Sequence, residues 1–459
     1  MFRIVISAFV GNGLEFYDIV VYSYFSPFIA MYFFPQEDKI TGLISSFAVF
    51  FVGYLARPLG ALFFGRIGDT LGRKSALVVS IWLMALSTFS LGLLPTYTTI
   101  GVWAPILLVI LRLLQGFSFG GEYVGSIIFL VEHAPKTQRG FYGSFGETGS
   151  NLGFLFASFL AWIFLRNCGD SPIMQWAWRL PFLFGVVVGI VGWLIRRNLE
   201  EAQLFRDMRR IPETYFAYYR EYIKHLRKVF LIIGLILFGT VLEYLLYVFM
   251  VTYMDTVLQY TRLQALRINI ISLIFLMLLQ PFMGKLSDRI GRRPVLAIAL
   301  ISTIIWIWPY FWLLQQHSFV LALLAQGIIT LFNAAYWAVV TVTMVEIVPT
   351  YMRFSAVALA YAIAASFFGG ITPLAATLLF KTTHSYVSLV MLLLICALIS
   401  LFTVYKIRET KPKTIEQSIK EDIRQIARNM LANGDNIEKV AAVTALSKEE
   451  VATLQSNKP

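Results

Sequence analysis

Chemistry-bearing residues are scarce in this chain. It has 459 residues but only 2 cysteines and 4 histidines. Cys168 and Cys396 fall in different halves and make neither a metal-binding nor a redox spacing, which removes thiol chemistry, disulfide scaffolding and zinc sites. His133, His225, His317 and His384 lie near the ends of apolar runs or in a polar connector, and they read as surface residues. No phosphate loop, nucleophile elbow or Cys/His metal spacing occurs, so no enzyme and no cofactor is expected. Charge is also sparse. Only 14% of residues are charged against 58% hydrophobic, and the mean hydropathy of +0.71 lies far outside the range of a soluble domain. The chain belongs in a bilayer. A charged n-region and a small-residue cleavage site are both missing before the first long apolar run, so that run is expected to be retained.

What charge there is carries information in its placement. The formal net charge is +12, a value that could suggest nucleic acid. Thirty of the 38 Lys and Arg, however, fall at or beyond one set of apolar-run ends, and Lys39, Arg166, Arg179, Arg262, Arg267 and Lys381 fall at the other. Such a bias is the positive-inside rule, and it predicts that both termini face the cytoplasm. Because the bases follow helix ends rather than one groove, nucleic acid is not an expected partner.

A bilayer core about 30 Å thick needs about 20 apolar helical residues. Twelve segments qualify, near 4 to 32, 42 to 65, 74 to 94, 103 to 130, 140 to 165, 179 to 196, 230 to 254, 266 to 284, 294 to 314, 319 to 345, 355 to 380 and 385 to 406. The predicted class is an all-α membrane protein of twelve transmembrane helices in two pseudo-symmetric six-helix bundles. Its parts are residues 1–196, a cytoplasmic linker over 197–229, a second bundle over 230–410 and a polar tail over 411–459. The tail carries Ile419, Ile423, Ile426 and Met430 at helical spacing, with a possible helical hairpin beyond them.

Two internal matches support the duplication. Gly65-Arg66-Ile67-Gly68-Asp69-Thr70-Leu71-Gly72-Arg73-Lys74 returns as Gly284-Lys285-Leu286-Ser287-Asp288-Arg289-Ile290-Gly291-Arg292-Arg293, both reading G-x-x-x-D-x-x-G-R-(K/R) between apolar runs. Likewise Gly11-Asn12-Gly13-Leu14-Glu15-Phe16 parallels Gly239-Thr240-Val241-Leu242-Glu243-Tyr244. Parallel six-helix repeats with a binding site between them are how alternating-access transporters are built.

These residues resemble the major facilitator superfamily. Within it, the chain looks like the metabolite:H+ symporter family, which includes proline and glycine-betaine transporters and carriers of organic acids. The resemblance rests on the two hinges, Gly11 to Asp18, Arg57-Pro58-Leu59-Gly60, Arg112 through Gly120-Gly121-Glu122-Tyr123, Glu132-His133-Ala134-Pro135 and Trp178-Arg179-Leu180-Pro181-Phe182. In the second half it rests on Glu346-Ile347-Val348-Pro349-Thr350, Arg353-Phe354-Ser355 and Gly369-Gly370-Ile371-Thr372-Pro373, and it spans roughly residues 3 to 410. It implies the major facilitator fold in a bacterial inner membrane and a functional monomer. It also implies that the hinges are conformational latches, carried by Gly65, Asp69, Gly72, Arg73, Gly284, Asp288, Arg289, Gly291 and Arg292. Each hinge Asp is expected against a helix N-terminus of the opposite half, where about half a positive charge and free N–H groups receive it. Asp69 would meet the helix starting near Ser355, and Asp288 the one starting near Phe141 and Gly143. Thr70 stands where the second copy has Arg289, which predicts a weaker first latch.

Ionisable groups at membrane depth are costly and are functional candidates by default. Seven occur: Glu15, Asp18, Arg57, Arg112, Glu122, Glu147 and Glu243. Glu15 and Asp18 share a helix face, and two carboxylates there cannot both hold a charge cheaply, so they are the first candidates for carrying a proton. The predicted proton-coupling set is Glu15, Asp18, Arg112, Glu122 and Glu243. Arg112 is expected to partner the first helix, because Glu122 lies ten residues, about 15 Å, further along its own helix. Arg57 and Arg112 are candidates to hold a substrate carboxylate. Tyr17, Tyr123, Tyr244, Tyr247, Tyr336, Trp337 and Tyr361 are candidates to face a substrate cation, since ring faces hold quaternary ammonium groups well. The expected cargo is a small zwitterion such as proline or betaine, moved with protons. An organic acid is the alternative, and a transporter-like ligand sensor acting through the tail is the second.

Overall fold

The computed structural model describes residues 1–34, 39–71, 73–120, 122–168, 174–197, 226–348, 353–410, 431 and 436–444. Side chains 65–77 and that of Glu122 are outside this description, so the expectations placed on Gly65, Asp69, Gly72, Arg73 and Glu122 lie outside the described residues. Most of the expected linker and the tail positions Ile419 to Met430 lie outside it as well. The chain divides into two compact units, Met1–Thr410 and Lys411–Pro459, and within the second the helix Ile437–Thr444 is described.

The first unit is all helical among its described residues. We label its spans α1 (Phe2–Tyr24, continued by Ser26–Phe33), α2 (Lys39–Leu55 and Arg57–Leu71), α3 (Arg73–Leu93), α4 (Trp103–Ser118 and Glu122–His133), α5 (Arg139–Cys168) and α6 (Leu180–Leu183 and Gly185–Arg197). The second half repeats the plan with α7 (Leu226–Tyr244, a π turn Leu245–Phe249, then Met250–Thr256), α8 (Arg262–Ile290), α9 (Arg292–Leu314) and α10 (Phe319–Ile347). It closes with α11 (Arg353–Ala364, a π turn Ala365–Gly370, then Thr372–Thr383) and α12 (Val387–Lys406). Ten described helices are long and apolar enough to cross a membrane, and the shorter apolar helices Val78–Leu93 and Leu180–Leu194 make the remaining two spans.

One expectation changes on inspection. The second hinge is not a separate segment between helices: Gly284–Ile290 forms the last two turns of α8, and Arg292 already belongs to α9. Only Gly291 breaks the helix, at φ 111°, a conformation L-residues rarely adopt. Lys285 and Arg289 are good helix formers, so polarity moved the hinge out of the apolar layer without ending the helix.

The halves meet along two seams. α5 packs on α1 in its own half and on α8 in the other, while α11 lies against α2 and α4. Small residues set these distances, as expected where lipid offers no hydrophobic force between helices. A Cβ on Gly140 would collide with the Gly284 carbonyl, and one on Gly284 with the Gly140 carbonyl, so α5 and α8 touch backbone to backbone at the hinge.

Candidate functional site

Arg57 opens the second segment of α2, just after the helix is interrupted at Ala56, and Pro58 behind it cannot donate a backbone hydrogen bond. Its guanidinium carbon lies 3.6 Å from the centroid of the Tyr54 ring and 4.3 Å from that of Phe119. The side chain is 2% exposed, and none of its three nitrogens has a hydrogen-bond acceptor among the described residues. The charge of Glu15 reaches it, as do the hydroxyls of Tyr244 and Tyr361. The Tyr54 and Tyr244 hydroxyls bond to each other across the two halves, with their rings edge to face at 5.6 Å. Gly370 and Gly369, in the α11 π turn, press on Tyr54 and Tyr244 respectively. A Cβ on Gly369 would sit 3.0 Å from the Tyr244 ring.

A second cluster adjoins the first. The Tyr123 hydroxyl donates to Glu147 of α5, and the Tyr123 ring lies tilted by 37° against that of Tyr361 of α11, with centroids 4.6 Å apart. Glu147 and Glu243, one from each half, are buried within electrostatic reach of one another, and Glu243 Oε1 has no hydrogen-bond partner. Tyr361 feels both these acids and Arg57. The seam therefore holds positive charge at one end and carboxylates at the other, joined by tyrosines. Glu147 is the member that the proton-coupling set left out. Its position in Gly146-Glu147-Thr148-Gly149 was a usable signal, because glycines on both sides let other helices approach that carboxylate closely.

The first helix departs from expectation. Arg112 makes no described ion pair with Asp18: its Nη1 donates to Gln115, one turn along the same helix, and its guanidinium lies 4.4 Å over Tyr22 and 5.2 Å over Phe50. Gln115 in turn donates to the Asp18 backbone carbonyl and to Thr88, both at 2.7 Å. Arg112 thus meets α1 through a ring and an amide rather than a carboxylate. Both Asp18 carboxylate oxygens are buried without a hydrogen-bond partner among the described residues.

The remaining aromatic candidates are not brought to Arg57 by hydrogen bonding. Tyr17 donates to the Pro181 carbonyl at 2.7 Å, Tyr336 to the Leu235 carbonyl at 2.6 Å and Trp337 Nε1 to the Gly239 carbonyl at 3.3 Å, each within its own half. Tyr247 bonds Thr330 at 3.0 Å, inside the second half but within reach of Glu243.

At the hinge end, Asp288 accepts from the backbone N–H groups of Gly140 at 2.8 Å and Phe141 at 2.9 Å, the start of α5. Arg292, 0% exposed, donates to Asp288 and Ser287 and pairs with Glu346 at 3.4 Å. Arg289 is exposed on the neighbouring turn. Glu409, just past α12, accepts from the N–H groups of Arg292 and Arg293. A second bridge between the halves, Arg353 to Glu132 at 2.6 Å, closes the same end. The opposite end is closed too. Arg262 donates to the Tyr24 carbonyl at 2.8 Å while pairing with Asp255, and Asn269 donates to the Tyr24 hydroxyl at 2.9 Å and to Ser158 at 3.1 Å. Lys381 reaches Thr41 at 2.8 Å. Among the described residues, the halves are therefore in contact at both ends.

Two six-helix halves closed at both ends around buried charges define a membrane transporter. Residues 4–209 match the sugar (and other) transporter family model, and residues 263–450 match that of the major facilitator superfamily. The proline/betaine transporter of Escherichia coli (strain K12) is 32% identical over 95% of this chain and 90% of its own length. The glycine betaine/proline/ectoine/pipecolic acid transporter OusA of Dickeya dadantii (strain 3937) is 32% identical over 99% of this chain and 93% of its own. Among solved structures, the xylose transporter XylE from E. coli, in a partially occluded inward open conformation, superposes with a TM-score of 0.72 at 20% identity. It covers 90% of this chain and 99% of that one. The chain belongs to the major facilitator superfamily, in the branch of the proline/betaine transporters. It is a multi-pass membrane transporter of a small molecule and not an enzyme.

Proposed function

We propose that the protein is a proton-coupled symporter of a small zwitterion such as proline or betaine, working as a monomer in a bacterial inner membrane with both termini in the cytoplasm. The observation that carries this reading is Arg57, a buried guanidinium whose three nitrogens have no hydrogen-bond acceptor among the described residues. A fixed cation in low dielectric is costly unless it is paired. A substrate carboxylate offers Arg57 the bidentate acceptor it lacks. The buried acids Glu147 and Glu243, which act on Tyr361 as Arg57 does, favour a substrate carrying positive charge as well.

Protons are the coupling ion and no cofactor is required. Asp18 is the first proton carrier in this reading, because both its carboxylate oxygens are buried without a described hydrogen-bond partner, where a negative charge is costly and a proton removes it. Glu147 and Glu243 form a second carrier at the seam. Movement of the halves separates these two acids, so their protonation is tied to which end is open. The positive-inside bias places the hinge end in the cytoplasm, and the Asp288 latch then favours states closed on that side.

Two buried arginines also suit an organic acid, and one experiment separates the readings. Purified protein in proteoliposomes is offered labelled proline, glycine betaine and a dicarboxylate, with and without an inward proton gradient. Concentrative, gradient-dependent uptake of the zwitterions is expected. Uptake confined to the dicarboxylate would overturn the zwitterion, and accumulation indifferent to the gradient would overturn proton coupling.

A further inference from the structure

Arg57 is stacked on rings and, among the described residues, hydrogen-bonded to no acceptor. Its guanidinium lies over the Tyr54 ring and beside that of Phe119, the geometry of a cation held by ring faces. Among the described residues no acceptor holds it there by hydrogen bonds, and the Glu15 charge reaches it electrostatically. The Tyr54 ring is itself fixed by three neighbours. Its hydroxyl bonds Tyr244, its backbone carbonyl accepts from Ser366 at 2.6 Å, and Gly370 leaves no room for a Cβ against the ring. Ser366 and Gly370 belong to the α11 π turn, a local widening of the helix often found at functional sites.

From this geometry we infer that Tyr54 and Phe119 form the seat for the substrate's ammonium group, and that Arg57 fills this seat in the empty carrier. The inference rests on the zwitterion reading above. An arriving carboxylate draws the guanidinium off the ring into a bidentate pair, and the ring face it leaves receives the substrate's own cation. The ring thus keeps a cation throughout the cycle, and the empty carrier closes without a substrate because Arg57 stands in for one. Tyr54 also touches α7 and α11 of the opposite half, so the exchange of one cation for the other is felt at the seam.

The test compares glycine betaine with its uncharged-head isostere 3,3-dimethylbutanoate as competitors of zwitterion uptake in proteoliposomes. Wild type should prefer betaine, and Tyr54→Leu should lower that preference about tenfold, while Tyr54→Phe, which keeps the ring, changes it by less than about threefold. Phe119→Leu should act in the same direction and decides the matter if Tyr54→Leu does not fold. Inhibition by tetramethylammonium should strengthen in Arg57→Gln, and the double variant with Tyr54→Leu should lose that gain. An undiminished preference for betaine in Tyr54→Leu, or in Phe119→Leu, overturns the seat. A gain in tetramethylammonium inhibition that survives the double variant overturns the stand-in role. Wild type that accumulates neither zwitterion refutes instead the transport reading on which the inference rests.

Discussion

Replacing Asp288 by Asn tests whether the hinge is a latch or only a charged helix end. The carboxylate accepts two backbone N–H groups at the start of α5, at 2.8 and 2.9 Å, and pairs with Arg292 at 2.8 Å. Its side chain is 6% exposed, so water screens these contacts little. A hydrogen bond to a charged group contributes about 1.5–3 kcal/mol, and an anion at a helix N-terminus up to about 2 kcal/mol when partly buried. Asparagine keeps the shape and one acceptor oxygen but loses the charge and one of the two bonds across the seam. A loss of about 2 kcal/mol from the closed state follows, which shifts the balance toward opening at the hinge end about 30-fold. Arg292 keeps Glu346, so the second half should stay folded. Spin labels on the hinge ends of α5 and α8, with thiol accessibility of the same positions, read the shift directly. Unchanged distances and accessibility in a folded Asp288→Asn protein would refute the latch.

The other predictions follow from the same geometry. Gly140→Leu puts side-chain atoms into the Gly284 carbonyl, and overpacking of about 1–3 kcal/mol should open the same end; combined with Asp288→Asn it should add little, as measured by the same label distances. Arg262→Gln removes the charged bond across the halves to the Tyr24 carbonyl, worth about 1–2 kcal/mol, and should open the other end, read between labels on α1 and α8. Asp18→Asn should cut proton-driven uptake by at least about tenfold while leaving substrate exchange without a gradient within about threefold of wild type, as counterflow assays would report. Equal loss of both activities in that variant would assign Asp18 to substrate binding or folding instead.

Much of this molecule is legible in the chain. Twelve spans follow from apolar run length, because a helix must cross a fixed hydrocarbon thickness with its backbone bonds satisfied internally. The twofold plan follows from the repeated hinge and from the Glu15 and Glu243 motifs. Asp288 meeting α5 was foreseeable to within a residue or so, since a carboxylate and a helix start are complementary wherever a fold brings them together. What spacing along a helix could not supply is the partner of each buried charge. Helix spacing points Arg112 at α1, yet Gln115, a neighbour on its own helix face, intercepts its guanidinium and donates to the Asp18 backbone instead.

Tyr17, Tyr336 and Trp337 look like cavity aromatics in the sequence, but backbone carbonyls of their own half claim their donors. Glu147 and Glu243 stand 96 positions apart, and only the crossing of α5 against the second half makes them neighbours. The Tyr54 ring beneath Arg57, the α11 turn that holds it and the closure of both ends are likewise products of helix packing. The sequence alone determined the membrane, the number of spans and the identity of the costly charges, because transfer from water is priced residue by residue. The tertiary structure decided which of those charges face each other across the seam and which meet only a ring, because pairing depends on distances that no single helix contains.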